Sequence, residues 1–239
     1  MIDLHNHFLP GIDDGAQTLD ESLALARAAV AAGVKVAVMT PHVHPIRYDN
    51  TRASIARAYE DYATAVSARG IPLEVRMAGE VRISDDVMRM VDEDEIPYLG
   101  VRDGYRTLLL EFPPAHLMVG GEKLVQWLVA RRIRPVIAHP ERNKEVARDV
   151  DKLRPYLALG CMLQVTAGSL VGQFGKDIQR CAVTLVEREW VAAVASDAHN
   201  MDHRPPNLDV ARDALTEIGG AALATQLTEH GPAAILGLQ

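Results

Sequence analysis

Seven short apolar runs, Ile2–His5, Val34–Met39, Leu73–Met77, Thr107–Leu110, Pro135–Ala138, Met162–Val165 and Val191–Ala195, recur along the chain with segments of helical period between them. Runs that lack polar alternation suit strands covered on both faces. Strand-then-helix order repeated within one unit calls for a parallel sheet with right-handed crossovers. Seven such units predict an α/β fold, a distorted seven-unit TIM-like barrel rather than an open sheet.

The intervening patterns carry their own stop and start signals. Thr18 and Glu21 stand at capping-box spacing, Leu19, Leu23, Ala26 and Val30 share one helical face, and Gly33 sits where a closing glycine belongs. Further helices are predicted over 53–68 closed by Gly70, 85–91, 122–131, 150–159 closed by Gly160, 176–187, and 208–218 closed by Gly219. No Pro/Gly/Ser-rich linker, repeat or low-complexity stretch divides the 239 residues, so residues 1–239 read as a single domain. A hydrophobic fraction of 48% excludes a disordered chain. The balance of 25 Lys and Arg against 32 Asp and Glu, net −7 without a basic run, disfavours a nucleic-acid or anionic-membrane partner.

The start, MIDLHNHFLPG, lacks the basic and apolar regions of a secretory signal, and no stretch reaches the uninterrupted apolar length of a membrane span, about 18 residues. Membrane insertion is therefore not expected. Cys161 and Cys181 are too few for a disulfide framework, and a cytoplasmic location is the expectation.

In a βα barrel, chemistry gathers at the C-terminal ends of the strands. Those positions carry His5 and His7 with Asp13 and Asp14 in the next loop, then His42 and His44, Glu80, Glu111, His139, and finally Asp197 and His199. Only the sixth run ends otherwise, in Thr166-Ala167-Gly168-Ser169. Carboxylates and imidazoles converging on one rim without partners are costly to bury, and metal cations remove that cost. The donors are nitrogen and oxygen without thiolate, which points to Mn²⁺, Fe or catalytic Zn²⁺ rather than structural zinc. The set exceeds what one ion needs, so two or three ions are implied. Such clusters clamp phosphoryl oxygens and activate water, which makes hydrolysis the expected reaction. His5 and His7 share one side of a strand, as i and i+2 must. Of Asp13 and Asp14 only one need coordinate, the other stabilising the Gly15 turn.

An anion needs positive charge beside the metals. Arg142, three residues after His139, and Arg204, five after His199, are close enough in sequence to reach the rim, and guanidinium suits bidentate phosphate binding. A cysteine-based phosphatase is excluded, because the position six after Cys161 is Ala167 and six after Cys181 is Glu187, where Cys-x5-Arg requires arginine.

The stretches MIDLHNHFLPGIDDGA, TPHVHPIRYDN, LLLEFP, PVIAHPERN, TAGSLVGQFGK and ASDAHN followed by HRPPNL together resemble the PHP (polymerase and histidinol phosphatase) superfamily. More narrowly they resemble the bacterial metal-dependent protein-tyrosine phosphatases of capsular and exopolysaccharide loci, the CpsB/YwqE-like group. The resemblance runs in order along nearly the whole chain. It implies a (β/α)7 barrel of the PHP type with a three-metal site, commonly manganese-dependent. The implied activity is hydrolysis of phosphotyrosine in a protein, a bacterial tyrosine autokinase controlling capsule or exopolysaccharide synthesis, by a metal-bridging hydroxide.

Carried over residue by residue, the family's ligands fall on His5, His7, Asp14, His42, Glu80, Glu111, His139, Asp197 and His199, and its phosphate-contacting arginines on Arg142 and Arg204. One departure is Gly231-Pro232, where the group often has Asn-Pro; it concerns packing. His44 and His116 lie near the rim and match no ligand position, and His203 and His230 read as surface residues. The loop from Pro45 to Ser54, with Arg47, Tyr48 and Arg52, either covers the site or simply leads into the next helix. The helix after Glu21 either self-associates into a homo-oligomer, as the resemblance implies, or packs on the barrel. Two rival readings are a small-molecule phosphomonoesterase such as histidinol-phosphate phosphatase and a non-catalytic docking protein. PGIDDGA, FGK and HRPP favour the tyrosine phosphatase over the first, and the intact ligand set argues against the second.

Overall fold

A computed structural model describes residues 1–238. Ten strands form: β1 (Ile2–Asn6), β2 (Val36–Met39), β3 (His42–Val43), β4 (Glu74–Met77), β5 (Glu80–Arg82), β6 (Gly100–Arg102), β7 (Tyr105–Glu111), β8 (Ile133–Ala138), β9 (Met162–Thr166) and β10 (Val191–Ala195). All seven expected runs are among them. The additional β3 and β5 continue β2 and β4 beyond short interruptions, so each pair makes one barrel stave. Pro41, which has no N–H to donate, breaks the first stave, and Ala78-Gly79 breaks the second.

Hydrogen bonds carry the ring across both breaks. Thr40 N donates to Asn6 O at 2.9 Å, Ala78 N to Met39 O at 2.8 Å, and Glu80 N to Pro41 O at 3.0 Å. The remaining staves pair in parallel in the order β5-β7-β8-β9-β10, and β6 adds an antiparallel flap to β7. A parallel bridge between Asn6 and Ala198 closes the ring, flanked by Asp197 N donating to His5 O at 2.8 Å and His7 N to Ala198 O at 2.9 Å. The same seam holds a buried polar clasp: Asp3 accepts from Ser196 N at 2.9 Å and from Ser196 Oγ at 2.6 Å. First and last strand ends are thereby locked side by side, which is where four of the expected ligands lie.

The helices are α1 (Leu19–Ala31), α2 (Arg52–Ala68), α3 (Asp86–Asp92), α4 (Gly121–Ala130), α5 (Lys144–Arg148), α6 (Arg154–Ala158), α7 (Ala167–Leu170), α8 (Lys176–Glu187), α9 (Leu208–Thr225) and α10 (Gly231–Leu236). The capping box at α1 forms, Thr18 Oγ accepting from Glu21 N while Glu21 accepts from Thr18 N, each at 3.3 Å. The expected helix over 150–159 is split: Val150–Leu153 is a 3₁₀ turn and α6 begins at Arg154, because Pro155 cannot donate backward into a longer helix. Helical backbone stops at Gly219–Gly220 as expected, yet the chain bends there and continues helically.

That continuation places α10 beneath the barrel. Ile235 and Leu236 join Leu4, Val38, Leu109, Val136, Ala193 and Ala195 in one buried cluster, and Ile235 O accepts from Thr107 Oγ1 at 2.9 Å. The barrel interior is thus filled and plugged at the end opposite Glu111. Gly231 is required for this approach, since a Cβ there would lie 2.0 Å from Ala192 O. A larger buried cluster joins the outer strand faces to the helices, including Leu23, Ala26, Ile55, Tyr62, Leu128 and Leu185.

Candidate metal centre

All nine sequence-predicted ligands meet at the C-terminal rim. They form four overlapping sets whose ligand atoms lie within 4.8 Å of one another: His7, Asp14, His42 and His199; His5, His7 and Glu80; His5, His139 and Asp197; and His42, Glu80 and Glu111. Strand register makes these neighbours. His42 and Glu80 are direct partners across β3 and β5, and His42 Nδ1 lies 2.7 Å from the Glu80 carboxylate. His139 Nε2 approaches the other Glu80 oxygen at 2.7 Å. Two of the predicted ligands sit on left-handed backbone, His139 at φ 31° and Asp197 at φ 51°, conformations that L side chains rarely adopt and that the surrounding packing must hold in place.

The residues behind the ligands fix imidazole orientation. Gln164 Oε1 accepts from His5 Nδ1 at 2.7 Å and Asp13 Oδ2 lies 2.7 Å from His7 Nδ1, which turns both Nε2 atoms toward the centre. Asp13 Oδ1 also accepts from Gly15 N at 2.9 Å, and its Oδ2 from His42 N at 3.0 Å. The alternative between Asp13 and Asp14 is thereby decided spatially: Asp13 faces away and supports, while Asp14 approaches His42 at 3.3 Å and His199 at 3.5 Å.

This donor set fits divalent metal. Glu80 Oε2, Glu111 Oε2, Asp197 Oδ1 and His199 Nε2 are buried, and none has a properly directed hydrogen bond. Four such orphaned atoms facing one centre are expensive unless cations engage them. Oxygen and imidazole donors without thiolate suit catalytic rather than structural ions.

The protonation states bear on loading. Burial lowers His5, but Glu80 and Asp197 outweigh it and raise its pKa to about 9; burial also opposes Glu80 and Asp14 at His42, which rises to about 11. Burial drops His139 to about 4, assisted by Arg142, and drops His199 to about 4, assisted by His7. Below pH 9 the metal-free chain therefore holds protons on His5 and His42 that a metal must displace, and affinity rises with pH. Calorimetric titration of Mn²⁺ into chelator-stripped protein at neutral pH, repeated in buffers of different ionisation enthalpy, should show release of at least about two protons, from His5 and His42, with His7 and Glu111, whose pKa values are also raised, adding to them. Binding without proton release would exclude these imidazoles as ligands.

Arg142 and Arg204 both donate to Asp197 Oδ2, from the loops after β8 and β10. They border a cavity of about 190 Å³ that opens on the ligand cluster, with Tyr48 and Phe112 also among its walls. Tyr48 stacks on the His42 ring at 5.3 Å and 9°, so the loop after β3 lines the site. His44 borders the same cavity and belongs to none of the metal-competent sets, and His116, His203 and His230 are exposed. Sequence reasoning missed Gln164 and Arg82, whose Nε lies 3.1 Å from Glu111. A lone glutamine in an otherwise apolar stretch of strand was the available signal for Gln164; nothing local marked Arg82.

The chain matches the family described as capsular polysaccharide synthesis, CpsB/CapC, over residues 1–237. It is 36% identical over 230 residues to the tyrosine-protein phosphatase YwqE of Bacillus subtilis, covering 96% of this chain and 89% of that protein. A crystal structure from a study of YwqE from Bacillus subtilis and CpsB from Streptococcus pneumoniae, described as unique metal-dependent tyrosine phosphatases, superposes with a TM-score of 0.91 at 33% identity, covering 100% and 96% of the two chains. A β-aspartyl dipeptidase from Fervidobacterium islandicum shares the fold alone, with a TM-score of 0.63 at 13% identity over 100% of this chain and 72% of that one. With a family match over residues 1–237, this chain belongs to the CpsB/CapC family of capsular polysaccharide synthesis.

Proposed function

We infer that this chain is a metal-dependent protein-tyrosine phosphatase of capsule or exopolysaccharide synthesis, acting as a single domain over residues 1–239. The observation that carries the reading is the convergence of nine nitrogen and oxygen donors in one cluster, four of which, Asp14, His42, Glu111 and His139, share a cavity with Arg142 and Arg204. His5, His7, Asp14, His42, Glu80, Glu111, His139, Asp197 and His199 would hold two or three ions, with manganese as the resident metal. When bound, such ions acidify water and offset charge on phosphoryl oxygens.

The chain's own residues supply the rest. Arg142 and Arg204 bind the non-bridging phosphate oxygens and spread the charge that develops as the phosphorus–oxygen bond to the ring breaks. Asp197, shared by both guanidinium groups, sets their direction. Tyr48 and Phe112 give the cavity aromatic walls suited to a tyrosyl ring. The phenolate leaves with a pKa of about 10, so the site needs no strong general acid. Cys161 and Cys181 are buried, burial raises both thiols to about 12, and they take no part.

The protein partner on this reading is a phosphotyrosyl protein, a bacterial tyrosine autokinase, met in the cytoplasm. The family's place in capsule synthesis supports that. The test compares turnover of a phosphotyrosyl peptide and of histidinol phosphate by chelator-stripped protein, before and after Mn²⁺ is restored, alongside elemental analysis. Metal-dependent turnover that prefers the peptide is expected; a strong preference for histidinol phosphate would overturn the assignment.

A further inference from the structure

One barrel strand brings no metal ligand to the rim. β9 ends at Thr166 and runs into the turn of α7 and the segment Val171-Gly172-Gln173-Phe174, within the TAGSLVGQFGK stretch that the ligand set and arginines leave without a task. We propose that Ser169–Phe174 is a brace that presets both phosphate-binding arginines, so that the ligand-free strand serves the anion rather than the metals. The proposal rests on the reading of Arg142 and Arg204 given above.

Three contacts carry it, two toward Arg142 and one toward Arg204. The Phe174 ring lies under the Arg142 guanidinium, 4.8 Å from its carbon to the ring centroid. Ser169 Oγ donates to Glu141 Oε1 at 2.7 Å, and Thr166 N donates to the same oxygen at 2.9 Å. Glu141 is fully buried, so this pair anchors the turn from which Arg142 projects. On the other side Gln173 Nε2 donates to His203 O, one residue before Arg204. Asn207 Nδ2 returns a contact to Gln173 Oε1 at 3.4 Å. One short segment therefore touches the supports of both guanidinium groups, which arrive from different strand ends.

Gly168 makes the fit possible. A Cβ there would lie 2.2 Å from Gln173 Oε1 and 3.2 Å from the Phe174 ring, so both bracing side chains fold back over the glycine. The brace answers a physical need. A free arginine side chain samples many rotamers, and a phosphate-binding pair is effective only when both forks are already aimed. The ring covers one face of Arg142 by a cation–π contact and leaves its N–H edge for Asp197 and an incoming oxygen.

The test uses Phe174→Leu, Phe174→Tyr and Gln173→Leu in the full metal-loaded chain. Phe174 is half-buried and Gln173 exposed, so folding should survive, and thermal unfolding with metal content checks it. Two readouts apply: binding of inorganic phosphate by calorimetry, and kcat and KM on a phosphotyrosyl peptide. Phe174→Leu should weaken phosphate binding and kcat/KM about tenfold with metal content unchanged, and Phe174→Tyr should restore both. In an Arg142→Ala background Phe174→Leu should have no further effect, and Gln173→Leu should likewise be silent in Arg204→Ala. Equal effects with and without the arginine, or no effect of either brace substitution on phosphate binding, would overturn the brace. If phosphate binding depends on Phe174 and Arg142 but no phosphotyrosyl peptide is turned over, the brace stands and the assigned function fails.

Discussion

Replacing Asp197 by Ala should lower kcat/KM on a phosphotyrosyl peptide by about four orders of magnitude. Among the described residues, no other side chain pairs with both the central imidazoles and the arginines Arg142 and Arg204. Its Oδ1 faces His5 at 3.4 Å and His7 at 3.3 Å, while its Oδ2 receives both Arg142 and Arg204. Burial pushes the carboxyl upward, but Arg204, His5, His7 and Arg142 together hold it well below the usual carboxylate range, so it is ionised at every working pH. The substitution removes a metal-facing oxygen and leaves two guanidinium groups without their anchor. Breaking a buried ion pair from one side costs about 3–5 kcal/mol, and the partial exposure of both arginines places the loss toward the lower figure. Metal content, unfolding in urea and single-turnover assays separate the two losses. Wild-type turnover in a fully loaded Asp197→Ala protein would show that neither the Oδ1 that faces His5 and His7 nor the hold on the two arginines is needed for the chemistry. His42→Ala, which strips a ligand contacting Glu80 and Asp14, should fail in the same direction.

Arg142→Ala and Arg204→Ala should each cost about two to three orders of magnitude in kcat/KM while leaving metal content intact. Each arginine meets the metal-facing carboxylate on the oxygen turned away from the histidines, so neither occupies a ligand position. Lysine substitutions should recover little, because an ammonium cannot present a planar fork to two phosphate oxygens. Inhibition by inorganic phosphate should weaken in parallel with kcat/KM. Loss of metal together with activity would instead assign the arginines to holding the site together.

The strand ladder and the candidate donors at the strand ends were legible because each rests on local signals. Apolar runs of strand length, a capping box at Thr18–Glu21 and glycines after helices are written within a few residues. Candidate ligands follow, since a barrel delivers strand ends to one rim; the choice of Asp14 over Asp13 and the omission of His44 came from the family resemblance, not from position along a strand. Gln164 and Arg82 were missed because their partners, His5 and Glu111, lie 159 and 29 residues away. The runs end at Met39 and Met77 as expected, but their resumption as β3 and β5 beyond Pro41 and Ala78-Gly79 was missed, because it depends on hydrogen bonds from neighbouring staves that keep those stretches in the ring. The helical tail was missed because its apolar residues address the barrel interior, a surface that exists only after closure.

The amino-acid order alone therefore determined the class of barrel, the rim and the candidate donors gathered there. Tertiary structure decided which of two adjacent aspartates faces the centre, that Tyr48 stacks on His42, and that Gln173 and Phe174 reach the two arginine loops. The reason is the range of the forces involved. Periodicity and capping act within a turn or a strand, whereas the aim of a side chain is fixed by whatever packs behind it, and here that neighbour comes from a distant stave.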